Sequence, residues 1–338
     1  MNYQRIDATD HAAFSAWFDV LQRSETLRDG DRNQGWHPDE WRARAVDLDA
    51  PIVHHLFSFG DNYLAPVAVG ALEVSRVDNL RWMRGELFVD PSERRQGYGT
   101  QALKILESLA RDFGRESLSF WVIEGASEVD ASPSHAFSSA TGYSLMEQNI
   151  RRDIAWPRPL GELQRLQAEN EASATGYEIL AWLRATPPSF LAKRAALFEQ
   201  TPLEVPSNNE LIEKEQWDEE RVRSHEQEVD AMGRDLLISC AIEHATKELV
   251  GYSELTVSRD QPHTAYQWET MVLPRHRGHR LGILMKLATM RLLSEGRYQT
   301  ERISTFNAFT NQAMIRVNEE LGGTVAGAMV AWTKKLAS

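Results

Sequence analysis

Glu86-Leu87-Phe88-Val89-Asp90-Pro91-Ser92-Glu93-Arg94-Arg95-Gln96-Gly97-Tyr98-Gly99 and Glu269-Thr270-Met271-Val272-Leu273-Pro274-Arg275-His276-Arg277-Gly278-His279-Arg280-Leu281-Gly282 are two copies of one pattern. Glu, Val, Pro, Arg and the last Gly recur at a constant offset of 183 in a chain of 338 residues. An unbroken shift of about half the chain is the mark of a duplicated domain. Each copy reads as a strand ended by a proline, which cannot donate to a β-ladder, then an Arg- and Gly-rich turn, then a helix. The helical period is carried by Ala102, Leu103, Leu106, Leu109 and Ala110 in one copy and by Leu284, Leu287, Ala288, Arg291 and Leu292 in the other.

The flanks of the two copies agree. Val67 to Val74 and Leu249 to Leu255 are β-rich apolar runs upstream; Ser117 to Ile123 and Arg302 to Phe306 are strands downstream. A short helix follows each, closing at Gly142-Tyr143 or Gly322-Gly323. This order predicts an α/β chain with a mixed sheet in each half. Trp156-Pro157-Arg158-Pro159 stops the first half, Gln164 to Thr175 is polar, and Tyr177 to Leu183 opens a new strand. The expected division is a domain at 1–154, a linker at 155–176 and a second domain at 177–338. The charge-dominated stretch from Glu210 to Ala231 reads as a solvated helix face.

Composition excludes several classes. With 37 Lys+Arg against 49 Asp+Glu the net charge is −12, a poor basis for general nucleic-acid binding. A lone cysteine, Cys240, rules out an internal disulfide framework or a Cys-rich zinc module and fits a reducing compartment. No apolar run approaches the ~18–20 residues of a membrane helix. Met1 to Asp7 lacks a basic start followed by an apolar stretch, so a cytoplasmic protein is expected.

A strand entering a helix through such a turn presents backbone N–H groups at a positive helix end, which suits phosphate oxygens. Arg94, Arg95, Arg277 and Arg280 add charge, and Gly97 and Gly99 let a diphosphate approach the backbone. There is no Gly-Lys-Ser/Thr and no third glycine, so neither a nucleoside-triphosphate loop nor a dinucleotide fold is indicated. The plain alternative is a tight strand-to-helix turn without a ligand.

Arg94-Arg95-Gln96-Gly97-Tyr98-Gly99 resembles the coenzyme A pyrophosphate loop of the GCN5-related N-acetyltransferase (GNAT) family, Gln/Arg-x-x-Gly-x-Gly/Ala. The second copy resembles it with Arg280 where the first glycine is expected. Asn307 to Gly323 is similar to the family's later motif, Asn-x-x-Ala/Met…Leu-Gly-Phe. Two such domains in one chain resemble the tandem actinobacterial acetyltransferases of mycothiol synthase type. The resemblance implies two tandem GNAT domains, each a mixed, splayed β-sheet flanked by helices. It also implies acetyl-coenzyme A as co-substrate, no metal, and transfer to a small-molecule amine by direct attack. Carried over residue by residue, coenzyme contacts fall on Phe88, Val89, Arg94, Arg95, Gln96, Gly97, Tyr98, Gly99 and Thr100. In the second copy they fall on Met271, Val272, Arg277, Gly278, His279, Arg280, Leu281, Gly282 and Ile283, with Asn307 beside the pantetheine.

Such chemistry needs a base for the incoming amine, a donor for the developing oxyanion and help for the departing thiolate. Glu269 and Glu86, on the strand before each loop, are the candidate bases; the plain alternative is a solvent-facing glutamate. The family's usual acid is a tyrosine on the later helix, but the matching positions hold Asn318 and Ser138. The acid is then absent, unnecessary, or supplied by a residue such as Tyr298 or Tyr266. Asn311 is either a coenzyme contact or a helix cap. The carboxy-terminal copy is read as catalytic and the amino-terminal copy as a scaffold able to hold a coenzyme. The rival is a non-catalytic acyl-coenzyme A sensor or scaffold, and transfer of a longer acyl group is a further alternative.

Other candidates are weaker. His276 and His279 invite a metal reading, but no carboxylate completes a ligand set. His54 and His55, adjacent on a strand, face opposite sides. Cys240 reads as a buried small residue. Trp36, Trp41, Trp82 and Trp268 are candidates to line an acceptor cleft, and the turn-rich stretch from Glu25 to Trp41, with Asp29-Gly30-Asp31, to cover the first site.

Overall fold

The computed structural model describes residues 1–29, 35–124, 132–204 and 210–336. Gly30 and Asp31 of the expected covering segment lie outside the described residues. In chain order the elements are β1 (Tyr3–Ile6), α1 (His11–Asp29), α2 (Pro38–Val46), β2 (Ile52–Phe59), β3 (Ala68–Ser75), β4 (Trp82–Val89), α3 (Tyr98–Asp112), β5 (Ser117–Glu124), α4 (Pro133–Ala140), β6 (Ser144–Ala155) and α5 (Leu160–Glu171). Then follow β7 (Tyr177–Leu183), α6 (Leu191–Glu204), α7 (Glu219–Ala231), β8 (Arg234–Glu243), β9 (Leu249–Ser258), β10 (Thr264–Val272), α8 (Leu281–Glu295), β11 (Arg302–Ala308), α9 (Gln312–Glu320) and β12 (Thr324–Lys335).

The chain forms two compact α/β units: residues 1–148 with 208–211 and 328–338, and residues 149–207 with 212–327. This grouping differs from a cut at 155–176. In the first unit β1, β2, β3 and β4 pair antiparallel in sequence, β4 pairs β5 in parallel, and Ala328–Lys335 of β12 pair antiparallel with β5. In the second unit β7, β8, β9 and β10 repeat the antiparallel run, β10 pairs β11 in parallel, and Asn149–Ala155 of β6 pair antiparallel with β11. The last strand of each sheet is therefore supplied from the far side of the sequence repeat. The stretch expected as a linker contains α5, whose Leu166 is buried in the core of the second unit with Leu287 and Leu321.

Alternation along the strands sends side chains to two faces, and helices cover both. In the first unit, α3 lays Ala102, Leu106 and Ala110 against Leu72, Met83 and Leu118. The other cluster gathers Phe14, Trp17, Leu21 and Trp41 of α1 and α2 over Leu56 and Val69. In the second unit, α8 packs Ile283, Leu287, Met290 and Leu293 against Leu237, Leu255 and Ile303. Its Leu281, Leu284 and Met285 meet Ala241 and Val250, so the helix is apolar nearly all round, as a central helix should be. Phe198 of α6 and Val222 and Val229 of α7 cover Ile238, Cys240 and Tyr252.

Candidate functional site

In each unit the two parallel strands part company. β4 and β5 pair only from Trp82–Gly85 with Ser117–Phe120, although β4 runs on to Val89 and β5 to Glu124. β10 and β11 pair only from Thr264–Gln267 with Arg302–Thr305, although they run on to Val272 and Ala308. Past these points the outer ladders continue, since Glu86–Val89 stay paired with β3 and Thr270–Val272 with β9. The result is a V whose inner edges carry backbone N–H and C=O groups that no strand among the described residues takes up. Phe88, Val89, Met271 and Val272 lie on one arm of their V, and Asn307 lies on the other arm of the second.

At the mouth of each V the strand turns into a helix along one backbone path. Arg95 (φ 65°) and Gly97 (φ 84°) are left-handed in the first loop, and Gly278 (φ 86°) and Arg280 (φ 59°) occupy the equivalent positions in the second. The copies have exchanged which of the two positions holds glycine. Among the described residues no side chain caps α3 at Gly97 or α8 at Arg280, which leaves the first-turn N–H groups (residues 98–100 and 281–283) open to an external acceptor. Gly99 has a packing reason: a Cβ there would come 3.2 Å from Val89 Cγ2 and 3.4 Å from the Phe137 ring. Gly282 has its nearest such neighbours at 3.9 Å and carries no such restriction.

Both loops anchor an arginine alike. Arg94 Nε donates to the Val89 carbonyl at 3.3 Å, and Arg277 Nε to the Val272 carbonyl at 3.0 Å. The remaining side chains differ. Arg95 is exposed and has no ion pair among the described residues, and the Gln96 amide donates to Glu93 at 3.0 Å. In the second loop Arg277 pairs with Glu204 at 2.8 Å, while Arg280 donates to Asn170 and pairs with Glu320. His279 Nδ1 is 3.3 Å from the Ser173 carbonyl, and His276 Nδ1 is 3.0 Å from the Tyr177 hydroxyl. Both histidines thus serve the loop's own packing. Among the described residues no three His, Cys, Asp or Glu side chains gather as a metal-binding group.

The two candidate bases stand in different surroundings. Between Gln267 and Thr270, β10 carries one residue more than β9 opposite it, a bulge that β4 lacks. Gln267 Nε2 fastens the bulge by donating to the carbonyls of Glu254 (2.5 Å) and Glu269 (3.2 Å). Glu269 sits in this bulge, and no hydrogen bond engages its carboxyl group among the described residues. Burial, with the Glu254 and Glu215 charges and against that of Lys286, pushes it up to about 7. Glu254 is itself held ionised: burial would raise it, but fully buried Arg194, bridging Glu226 at 2.7 Å and Glu254, and His225 at 3.4 Å outweigh that. Glu86 instead lies 3.7 Å from Arg84, which also approaches Glu73 at 3.8 Å. Burial works to raise Glu73, yet Arg84, His54 and Arg44 hold it at about 2.

Sequence reasoning missed Lys286. It lies on α8 at 1% exposure, and its Nζ donates to Asn318 Oδ1 at 2.7 Å, its one hydrogen bond among the described residues. Asn318, fully buried where the family has its tyrosine, donates in turn to Asn307 Oδ1. Burial lowers Lys286 to about 7, with Glu269 opposing. The signal was a lone lysine in the apolar run Ile283-Leu284-Met285-Lys286-Leu287-Ala288.

The two alternative acids do not reach the V. Tyr298 donates to Asp235 at the start of β8, and Tyr266, before the strands part, lies under the Arg234 guanidinium at 5.2 Å. Asn311 caps α9, accepting from the Met314 N–H at 3.2 Å. Trp41 is core, 5.2 Å from Trp17; Trp36 carries Arg44 over its ring at 4.4 Å; and the Trp82 indole donates to Asn79 at 3.2 Å. Trp268 packs 6.1 Å from His225. His54 is buried and lowered to about 3 by that burial and by Arg44, while His55 stacks on Phe113 at 5.3 Å. Cys240 is fully buried, which pushes its thiol up to about 12.

The family model for the acetyltransferase (GNAT) family matches residues 16–137, about a third of the chain. No curated protein sequence matches. Among solved structures, the chain is similar to a tandem GNAT protein from the clavulanic acid biosynthesis pathway (TM-score 0.75, 20% identity, covering 100% of this chain and 99% of that one). It is also similar to a GCN5-related N-acetyltransferase from Sphaerobacter thermophilus (TM-score 0.66, 14% identity, 100% and 96%). At these identities the likeness is one of fold, and it extends over both units. The mycothiol synthase likeness rests on the sequence motifs alone. No helix among the described residues is long and apolar enough to cross a membrane.

Proposed function

We propose, for a chain that has the tandem GNAT fold and whose residues 16–137 match the acetyltransferase (GNAT) family, that it moves an acetyl group from acetyl-coenzyme A to the amine of a small molecule. Both substrates are bound together, and the second unit does the chemistry. One observation carries the choice of unit: Glu269 is a half-buried carboxyl pushed up to about 7, set in a bulge on the arm of the V with no hydrogen bond to hold it among the described residues. An amine arrives as an ammonium and must lose a proton before its nitrogen can attack, and a base poised near the working pH does this best. Glu86, facing Arg84 at 3.7 Å, has a cation to compete with any incoming ammonium.

The rest of the assignment follows the geometry of the V. Its inner N–H groups are suited to the developing oxyanion. The uncapped helix starts and the arginines of each loop are suited to a diphosphate, through Arg94, Arg95, Gln96, Gly97, Tyr98, Gly99 and Thr100 or through Arg277, Gly278, His279, Arg280, Leu281, Gly282 and Ile283. Unpaired Arg95 supports a second role, in which the first unit holds a coenzyme without turning it over. The test is thiol release from acetyl-coenzyme A across a panel of small amines. Turnover lost in Glu269→Gln but kept in Glu86→Gln supports this reading; equal turnover in Glu269→Gln removes it.

A further inference from the structure

Lys286 is expensive where it stands. A cation at 1% exposure with one hydrogen bond among the described residues has lost most of its hydration without gaining a contacting carboxylate. Packing does not demand it, since the equivalent place in α3 is filled by Leu103. What Lys286 does is set direction. The lysine ammonium has donors and no acceptor, so the Asn318 atom facing it is the oxygen. The Asn318 nitrogen then faces Asn307, whose oxygen must accept. That leaves the Asn307 Nδ2 hydrogens, which have no partner among the described residues, at a half-buried position two residues past the last β10–β11 pair.

Resting on the reading above, we infer that Lys286, Asn318 and Asn307 form a polarised hydrogen-bond string whose open end, Asn307 Nδ2, donates to the acyl thioester within the V. Lys286 and Asn318 are positioning residues: they fix the orientation of the next amide, and the buried charge strengthens each bond along the string. The donor acts where negative charge develops as the N–C bond forms and the C–S bond breaks with its electron pair leaving on sulfur. Of the two protons the ammonium gives up, the first goes to Glu269 and the second to the departing sulfur. Amide, thiol and a protonated Glu269 result, and Lys286 takes no part in the proton transfers. This accounts for asparagine at 318: a phenol there would need no lysine behind it.

The charges around the pair are Lys286 from α8, Glu254 from β9 and Glu215 before α7, all facing Glu269, with the Tyr252 hydroxyl on β9 nearby. Lys286 lowers Glu269 while the two glutamates raise it. Replacing Lys286 with an apolar residue therefore moves the basic group upward.

The test uses the full chain, acetyl-coenzyme A and an amine it acetylates. Lys286→Met lowers kcat ~10- to 100-fold with the KM for acetyl-coenzyme A nearly unchanged. It also moves the acidic limb of the pH–rate profile to higher pH, and Lys286→Arg restores part of the loss. Asn307→Ala, at a half-buried strand end, gives a similar loss and carries the test if Lys286→Met does not fold. A second readout is independent of turnover: the carbonyl-13C resonance of labelled acetyl-coenzyme A shifts on binding the wild type and shifts less in both variants. Folded variants with unchanged kcat and unchanged resonance overturn the string. A wild type that binds and shifts the label but acetylates no amine overturns the proposed transferase activity and leaves the string standing. Failure to bind acetyl-coenzyme A overturns both.

Discussion

Two residues past the last parallel pair, the short arm of the V carries Val122 in the first unit and Asn307 in the second. Where the second unit has Lys286, the first has Leu103, packed with Tyr143, Val330 and Trp332. Where the second has Asn318, the first has Ser138. The loops differ in the opposite sense. Arg95 of the first has no ion pair among the described residues, whereas Arg277 and Arg280 of the second already hold Glu204 and Glu320. One backbone has thus been furnished twice, once with an open cationic cradle and valine and leucine at these places, and once with a partly satisfied cradle and asparagine and lysine there. Buried polar groups cost stability and are kept where they serve, which is the ground for proposing grip for the first unit and chemistry for the second.

The sharpest way to break that division is at the bases. Glu269→Gln is expected to lower kcat ~10²- to 10³-fold while leaving coenzyme affinity alone, and Glu86→Gln to change kcat by less than ~2-fold. Steady-state rates with a titration of acetyl-coenzyme A measure both. A larger loss in Glu86→Gln would reverse the roles of the units.

The loops come next. Arg94→Ala removes a charge-assisted contact and is expected to weaken coenzyme binding by ~10-fold at the first site. Arg277→Ala is expected to cost less at the second, because Arg277 is already shared with Glu204. Glu204→Gln should then tighten the second site by freeing the guanidinium. Calorimetric titration, resolving two sites per chain, reads all three; equal losses in the two arginine variants would mean that the ion pairs do not compete with the ligand.

How much of this was legible depended on range. The loops, the strand before each and the helix after are local, and their repetition at one offset made them readable in Glu86 to Gly99 and Glu269 to Gly282. Arg280 was visible as a departure, and the structure gives its sense: it occupies the second left-handed position while Gly278 takes the first. The bulge at Glu269 was invisible, because an extra residue shows only against the partner strand. Lys286 was hidden by its apolar neighbours, although a solitary charge in such a run was itself the clue. The unit boundaries were out of reach for the same reason of range. That β12 pairs with β5 and β6 with β11 depends on partners more than 200 residues away for β12 and about 150 for β6.

Glu269 and Lys286 also give the second unit a pH response near neutrality. Glu269 goes from its ordinary 4.5 to about 7 on folding, so its contribution is fully present below pH 4.5 and is lost as pH rises to 7. Lys286 goes from 10.5 to about 7, so its contribution is present above pH 10.5 and is lost as pH falls to 7. The two windows meet, and stability of the second unit should pass through a minimum near neutral pH, on the order of 1 kcal/mol deep. Urea unfolding between pH 5 and 9 tests this. The double variant Glu269→Gln with Lys286→Met should flatten the curve, and a wild-type curve without a minimum would mean that the two groups do not titrate as an interacting pair.

The smallest effect separates the two arginines with left-handed backbones. Arg95 and Arg280 each accept a conformation that costs a non-glycine residue ~1 kcal/mol, partly offset when glycine is put there by the greater freedom glycine has in the unfolded chain. Arg95 has no pairing to lose, so Arg95→Gly should be neutral or raise stability by a few tenths of a kcal/mol. Arg280→Gly relieves the same strain but releases Glu320 and Asn170, and a half-exposed ion pair is worth only ~0–1 kcal/mol. The expected net is a loss of similar small size, together with weaker coenzyme binding at the second loop, where a guanidinium is lost. Paired thermal melts of the two variants decide it. If Arg280→Gly gains as much as Arg95→Gly, the clasp on Glu320 contributes nothing to folding, and the second arginine is there for its ligand rather than for its loop.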